Sequence, residues 1–215
     1  MLALELPSHS APLKILCLGS HSDDIEIGCG GTILRLLSRD ANLEVVWTVF
    51  SSTEKREQEA RDSADLFLTQ AKRKEIIIEH FRDGFFPFDG SQIKEFFEGL
   101  KRISPDVIFT HTRKDAHQDH RLISELTRNT FRNHFILEYE IPKYDGDLGQ
   151  PNFFVPLDQE IYEKKVHHIV NTFATQRGKR WFEKETFLAL MRLRGMECVA
   201  PSGYAEAFYC HKLVV

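Results

Sequence analysis

Lys14-Ile-Leu-Cys-Leu-Gly19 runs directly into Ser20-His21-Ser22-Asp23-Asp24, and Gly28-Cys-Gly-Gly-Thr32 follows shortly after. Ile15 to Leu18 is a continuous apolar run, the pattern of a strand buried on both faces, and the glycines let the next helix pack tightly under the turn. The same alternation spreads outward. Residues 43–50, 75–79, 107–110 and 135–139 read as further buried strands. Between them, residues 53–68 carry Ala60, Ala64, Phe67 and Leu68 on one helical face, and Ile93, Phe96, Phe97 and Leu100 repeat at i, i+3, i+4, i+7. Strands alternating with helices at this spacing predict βαβ units in an open, doubly wound, mainly parallel sheet, a Rossmann-like three-layer α/β/α single domain. Residues 1–13, with Pro7 and Pro12, read as a lead-in, and 14–215 as the domain. Beyond Tyr139 come a long loop at 141–151, a strand-like piece at 153–155, helices near 158–171 and 184–194, and a closing tail at 204–209.

Composition narrows the function. The 215 residues hold 28 Lys+Arg against 32 Asp+Glu, a net charge of −4, so no basic footprint for nucleic acid exists. No apolar run approaches the ~20 residues of a membrane span, and the start Met1-Leu-Ala-Leu-Glu-Leu-Pro lacks the basic region of a signal peptide. A cytoplasmic location is expected. Cys17, Cys29, Cys198 and Cys210 form no Cys-x-x-Cys pair and read as reduced thiols. Whether copies of the chain assemble as a homo-oligomer is left open. The ten histidines ask for an explanation, because imidazole is the commonest metal ligand.

In open α/β sheets, ligands bind outside the carboxyl ends of the strands where strand order reverses. With the usual order 3-2-1-4-5, the first and fourth strands are neighbours there. The first ends at His21, Asp23 and Asp24, and the fourth runs into His111-Thr-Arg-Lys-Asp115-Ala-His117-Gln-Asp119-His120. His21 and Asp24 can reach a metal from one tight turn, and His120 from the opposite loop. Two imidazoles and one carboxylate form a zinc set with the fourth position open. Asp23, Asp24 and Asp119 read equally well as helix N-caps. Competing motifs fail: Ile33 replaces the last glycine of a dinucleotide loop, and there is no Walker A, H-E-x-x-H, His-Asp pair or G-x-S-x-G.

These segments, with Arg56-Glu-Gln-Glu59-Ala60 and Tyr204-Ala-Glu-Ala-Phe208, resemble the signatures of the LmbE-like, or PIG-L-type, zinc N-deacetylases over most of residues 14–209. The first motif departs from that family's usual His-Pro-Asp-Asp-Glu, with Ser22 for Pro and Ile25 for Glu. The resemblance implies that His21, Asp24 and His120 hold Zn2+ or another divalent transition metal, and that Asp23 is the general base. It implies that His117 carries the oxyanion and, as imidazolium, protonates the amine, with Asp119 holding it charged. Arg56 is expected to face the pocket and contact the group attached to the sugar, or else to pair with Glu59 or Asp62 on the surface. His111 and Asp115 either line the site or fix the loop, and Tyr144 belongs to a loop with the character of a sugar-binding wall. The implied substrate is a small-molecule N-acetylated amino-sugar conjugate. The alternatives are another small-molecule amide cleaved by the same site, or a non-catalytic sugar-binding protein that kept its metal. His9, His80, His134, His167, His168 and His211 belong to no motif.

Overall fold

Seven strands form one sheet in the order β3-β2-β1-β4-β5-β7-β6 in the computed structural model, which describes residues 11–214. Residues 1–10 of the expected lead-in lie outside the described residues. The five strands β1 (Leu13–Gly19), β2 (Leu43–Val49), β3 (Arg73–Ile78), β4 (Val107–His111) and β5 (Phe135–Tyr139) are parallel. β1 therefore sits at the centre with β2 and β4 beside it. That is the switch point expected from the alternation of strand and helix. The edge is finished by antiparallel β7 (Ala205–Cys210) and β6 (Phe153–Pro156), which turns the 204–209 tail into an interior strand.

Alternation along β1 explains its apolar run. Ile15 and Cys17 enter one core with α1 (Asp24–Arg39), α2 (Glu54–Phe67), α5 (Gln159–Thr172) and α6 (Lys184–Glu197). Leu16 and Leu18 enter the other core, against α3 (Gly90–Leu100) and α4 (Gln118–Thr130). Helices cover both faces, so neither set of β1 side chains meets water.

The glycine-rich stretch is the interior of α1, where the helix lies hard against the sheet. A Cβ built on Gly28 comes within 2.2 Å of the Tyr139 ring, whose hydroxyl donates to the Leu18 carbonyl at 2.6 Å. Gly28→Ala should destabilise the fold by about 1–3 kcal/mol through overpacking, read as a lower urea midpoint with an unchanged slope.

One helical cation is buried. Lys165 of α5 donates to the Ile27 carbonyl at 2.7 Å and to Glu206 at 2.5 Å, while Glu206 accepts from the Gly31 and Thr32 amides and the Thr32 hydroxyl. This pair ties β7 and α5 to the middle of α1. Removing one member of a buried pair leaves the other's charge uncompensated. Lys165→Met is therefore expected to cost about 3 kcal/mol of unfolding free energy, while a conservative change at exposed Lys164 on the same helix costs less than about 0.5 kcal/mol.

Candidate active site

Two loops at the carboxyl edge, after β1 and after β4, meet above the switch point. The turn after β1 is held by its own side chain: Asp24 accepts from the His21 amide at 2.7 Å and so fixes both residues. Across from it, the His120 Nδ1 lies 2.9 Å from Asp115 Oδ2, which leaves Nε2 free to point at the first turn. Three donor atoms converge there. His21 Nδ1 lies 3.1 Å from His120 Nε2 and 3.4 Å from Asp24 Oδ2, and the last two are 3.5 Å apart. A tetrahedral ion with bonds of about 2.0–2.1 Å separates its ligand atoms by about 3.3 Å, so the spacing suits a small divalent metal.

Other donors overlap this set, for His117, His111, Asp83 and Asp119 each fall in a group with His21 or His120 that could hold an ion. Their hydrogen bonds distinguish them. His111 Nε2 accepts from the Ser20 amide at 3.0 Å, and His117 Nδ1 accepts from the Asp119 amide at 3.3 Å, so each has one nitrogen already engaged by the backbone.

The charges suit a metal at two of the three donors, whereas at His21 the lowering by burial is overcome by Asp119, Asp24 and Asp83, which raise the imidazole well above its usual range. Burial holds the His120 imidazole down at about 4, so it stays neutral and keeps a lone pair for a metal. Burial alone would raise Asp24, but the nearby His120 and His111 hold its carboxyl well below the usual range. Burial pushes Asp23 the other way, above the usual carboxylate range, against the pull of Arg56.

Each predicted residue has a definite place. Asp23 is buried beside the donor set; its Oδ1 accepts from Arg56 Nη2 at 2.8 Å and its Oδ2 has no partner among the described residues. It occupies the N-cap position of α1 without making a side-chain cap bond. Arg56 thus pairs with Asp23. Glu59 instead holds Thr175, and Asp62 accepts from Gln58.

Asp119 departs from expectation. Its carboxylate accepts from the Gly84 amide at 2.7 Å and the Phe86 amide at 3.2 Å, and lies 3.3 Å from His21 Nε2. It touches His117 through its backbone, and the cap of α4 is His117 itself. Burial and the nearby His21 lower the His117 pKa against the opposing pull of Asp119. His111 is also corrected: it is 0% exposed, stacked on His120 with ring centroids 3.9 Å apart, beneath any surface a substrate could touch. Tyr144 lies away from the cluster on the outer loop, 71% exposed, its hydroxyl accepting from the Arg180 amide at 3.2 Å.

Asp83 was missed by sequence reading. Its Oδ1 lies 3.0 Å from His21 Nε2 with the side chain 64% exposed, and that hydrogen bond pulls its carboxyl down to about 2. It follows β3, and the rule that directed attention to the carboxyl ends of β1 and β4 applies equally there. Asp83-Gly84 simply reads as a turn, and Gly84 indeed takes φ +78°.

Comparison with known proteins gives a family and a fold. A family model described as PIG-L: GlcNAc-PI de-N-acetylase matches residues 16–131. Among solved structures, N,N'-diacetylchitobiose deacetylase from Pyrococcus horikoshii, complexed with its inhibitor MPG, superposes with a TM-score of 0.72 at 22% identity, covering 92% of this chain and 83% of that one. The conserved protein TT1542 from Thermus thermophilus has a TM-score of 0.76 at 20% identity, covering 94% and 96%. GalB, the 4-carboxy-2-hydroxymuconate hydratase from Pseudomonas putida KT2440, has 0.74 at 16%, covering 94% and 98%. At these identities the solved structures establish the shared fold alone, and a hydratase among them shows that this fold serves more than one chemistry.

Proposed function

The chain belongs to the PIG-L family of GlcNAc-PI de-N-acetylases, and from that membership we propose that it is a metal-dependent hydrolase removing the acetyl group from an N-acetylated amino-sugar conjugate. The observation that carries this reading is the free Oδ2 of Asp23, a buried carboxylate oxygen without a donor beside three metal-spaced ligand atoms. A binding protein that kept its metal as a clip has no use for it.

His21, Asp24 and His120 are the proposed ligands. A zinc ion, or another divalent transition metal, bound by them would polarise the amide carbonyl and acidify a water at the open position. Asp23 Oδ2 takes the proton of the attacking water while Oδ1 stays on Arg56, which fixes the rotation of the carboxylate. His117 accepts the Asp119 amide proton at Nδ1, which places its own proton on Nε2. That neutral N–H is the donor for the oxygen that gains charge, so no imidazolium is required. The proton on Asp23 then passes to the amine nitrogen as the C–N bond breaks, releasing acetate and a free amine. Asp83 and Arg56 supply an acceptor and a donor for sugar hydroxyls at the mouth.

A screen of acetate release over N-acetylated amino sugars and their conjugates tests the reading, with metal content measured on the same preparation. Roughly one divalent ion per chain and acetate release from at least one such compound are expected. Cleavage of a different amide by the same metal-loaded protein would point to an amidase instead. A protein that binds no metal would end the assignment.

A further inference from the structure

We propose that Ser22 and Ser52 are positioning residues for the metal-binding turn: their paired hydroxyls fix the turn that carries His21, Asp23 and Asp24 to the loop that carries Arg56. The inference rests on the reading of His21 and Asp24 as metal ligands, while the pairing itself rests on contacts outside the donor set.

The turn needs such a restraint. The Asp24 amide donates to the His21 carbonyl at 3.4 Å, which closes a four-residue turn from His21 to Asp24. Asp23, its third residue, has φ −115° and ψ −5°, and Ser22 is not among the residues of positive φ, so the turn is of type I. The proposed ligands thus stand at its two ends and the proposed base at its third position. The second position of such a turn favours proline, whose ring fixes φ near −65° without help from any neighbour. Serine leaves that dihedral free, so the hold comes from elsewhere.

The loop after β2 supplies it. Pairing of β1 with β2 continues past the strand ends, the Phe50 amide donating to the Gly19 carbonyl at 3.0 Å and the Ser51 amide to the Ser20 carbonyl at 2.9 Å. One step further the contact passes to side chains, with Ser22 Oγ 3.1 Å from Ser52 Oγ. Ser52 gives its hydroxyl proton to the Thr53 carbonyl at 3.1 Å, so Ser22 is the donor of the pair. Ser22 is 0% exposed, so no water takes the place of its partner. Ser52 is itself anchored, because its carbonyl accepts from His80 Nδ1 at 3.0 Å.

The same loop reaches the next residue of the turn as well. Thr53 caps α2 by accepting the Arg56 amide, and Arg56 Nη2 donates to Asp23 at 2.8 Å. Ser22 and Asp23, the two central residues of the turn, are therefore both tied to the segment 52–56. Arg56 orients the Asp23 carboxylate. The serine hydroxyl stands one carbon from the main chain, so the pair restrains the backbone from which both ligands project.

Competition with a chromogenic chelator gives the zinc affinity of each variant without reference to any substrate. Ser22→Ala and Ser52→Ala should each weaken zinc binding by about threefold to tenfold, the range of one neutral hydrogen bond, and the double variant should lose no more than either alone. Ser52→Thr, which keeps the hydroxyl, should bind within about twofold of wild type. Ser22→Pro should do the same, and Ser52→Ala added to it should change nothing, because the ring then fixes the turn. Urea midpoints show which variants fold, and Ser52→Ala against Ser52→Thr carries the comparison should either change at buried Ser22 fail to. Single variants with wild-type affinity, losses that add in the double variant, or a Ser52→Ala loss that persists beside Ser22→Pro would overturn the inference. A wild type without zinc affinity ends the ligand assignment as well, whereas a wild type that binds zinc while its variants match it ends the inference alone.

Discussion

Asp23→Asn should lower acetate release by about a hundredfold to ten-thousandfold with bound metal unchanged, the range expected when a positioned acid–base group is removed. Asparagine keeps the size of the side chain and can still meet Arg56, so the turn after β1 and the His21 and Asp24 donors should stay in place. Only the acceptor for the water proton is lost. The decrease should fall on kcat with KM nearly constant, because the role proposed for Asp23 is on a proton that moves in the transition state. Metal content and turnover measured on one preparation decide the matter. Full activity in the variant would remove Asp23 from the mechanism, and loss of the metal would show it to be a ligand.

The second large effect concerns the metal. Stripping the ion with a chelator should abolish turnover, and readdition of zinc should restore it. His120→Ala should weaken metal binding beyond the ~10–100-fold typical of outer partners, and Asp115→Asn should fall within that range, because Asp115 acts by holding His120 Nδ1. Competition with a chromogenic chelator measures both without reference to turnover. Thermal unfolding supplies a further check: Asp23, Asp24, Asp83 and Asp119 crowd around His21, and a cation relieves their repulsion. At a metal concentration a thousand times Kd, binding should add about 4 kcal/mol of stability. An unfolding midpoint insensitive to metal would argue against the site.

Much of this was readable before any coordinates. The apolar run at Ile15 to Leu18 announces a strand buried on both faces, and alternation with helices leads to the central position of β1 beside β4. From that neighbourhood the meeting of His21 and Asp24 with His120 follows. What escaped reading were contacts set by which atom of a side chain faces which neighbour. Asp119 stands two residues from His117, yet its carboxylate turns to the 84–86 amides because the β3 loop folds over it. Lys165, which belongs to no sequence motif, is buried where β7 brings Glu206 against α1.

The sequence by itself therefore determined the α/β class, the strand order around β1 and the donor types gathered at its carboxyl edge, since periodicity and residue chemistry are local properties of the chain. Only the tertiary structure decided that Arg56 meets Asp23, that Asp83 joins His21, that His111 lies beneath the site, and that Ser22 meets Ser52. Those pairings join residues far apart in the chain. Their distances follow from how the strands twist and how the loops seat on one another, which no local pattern encodes.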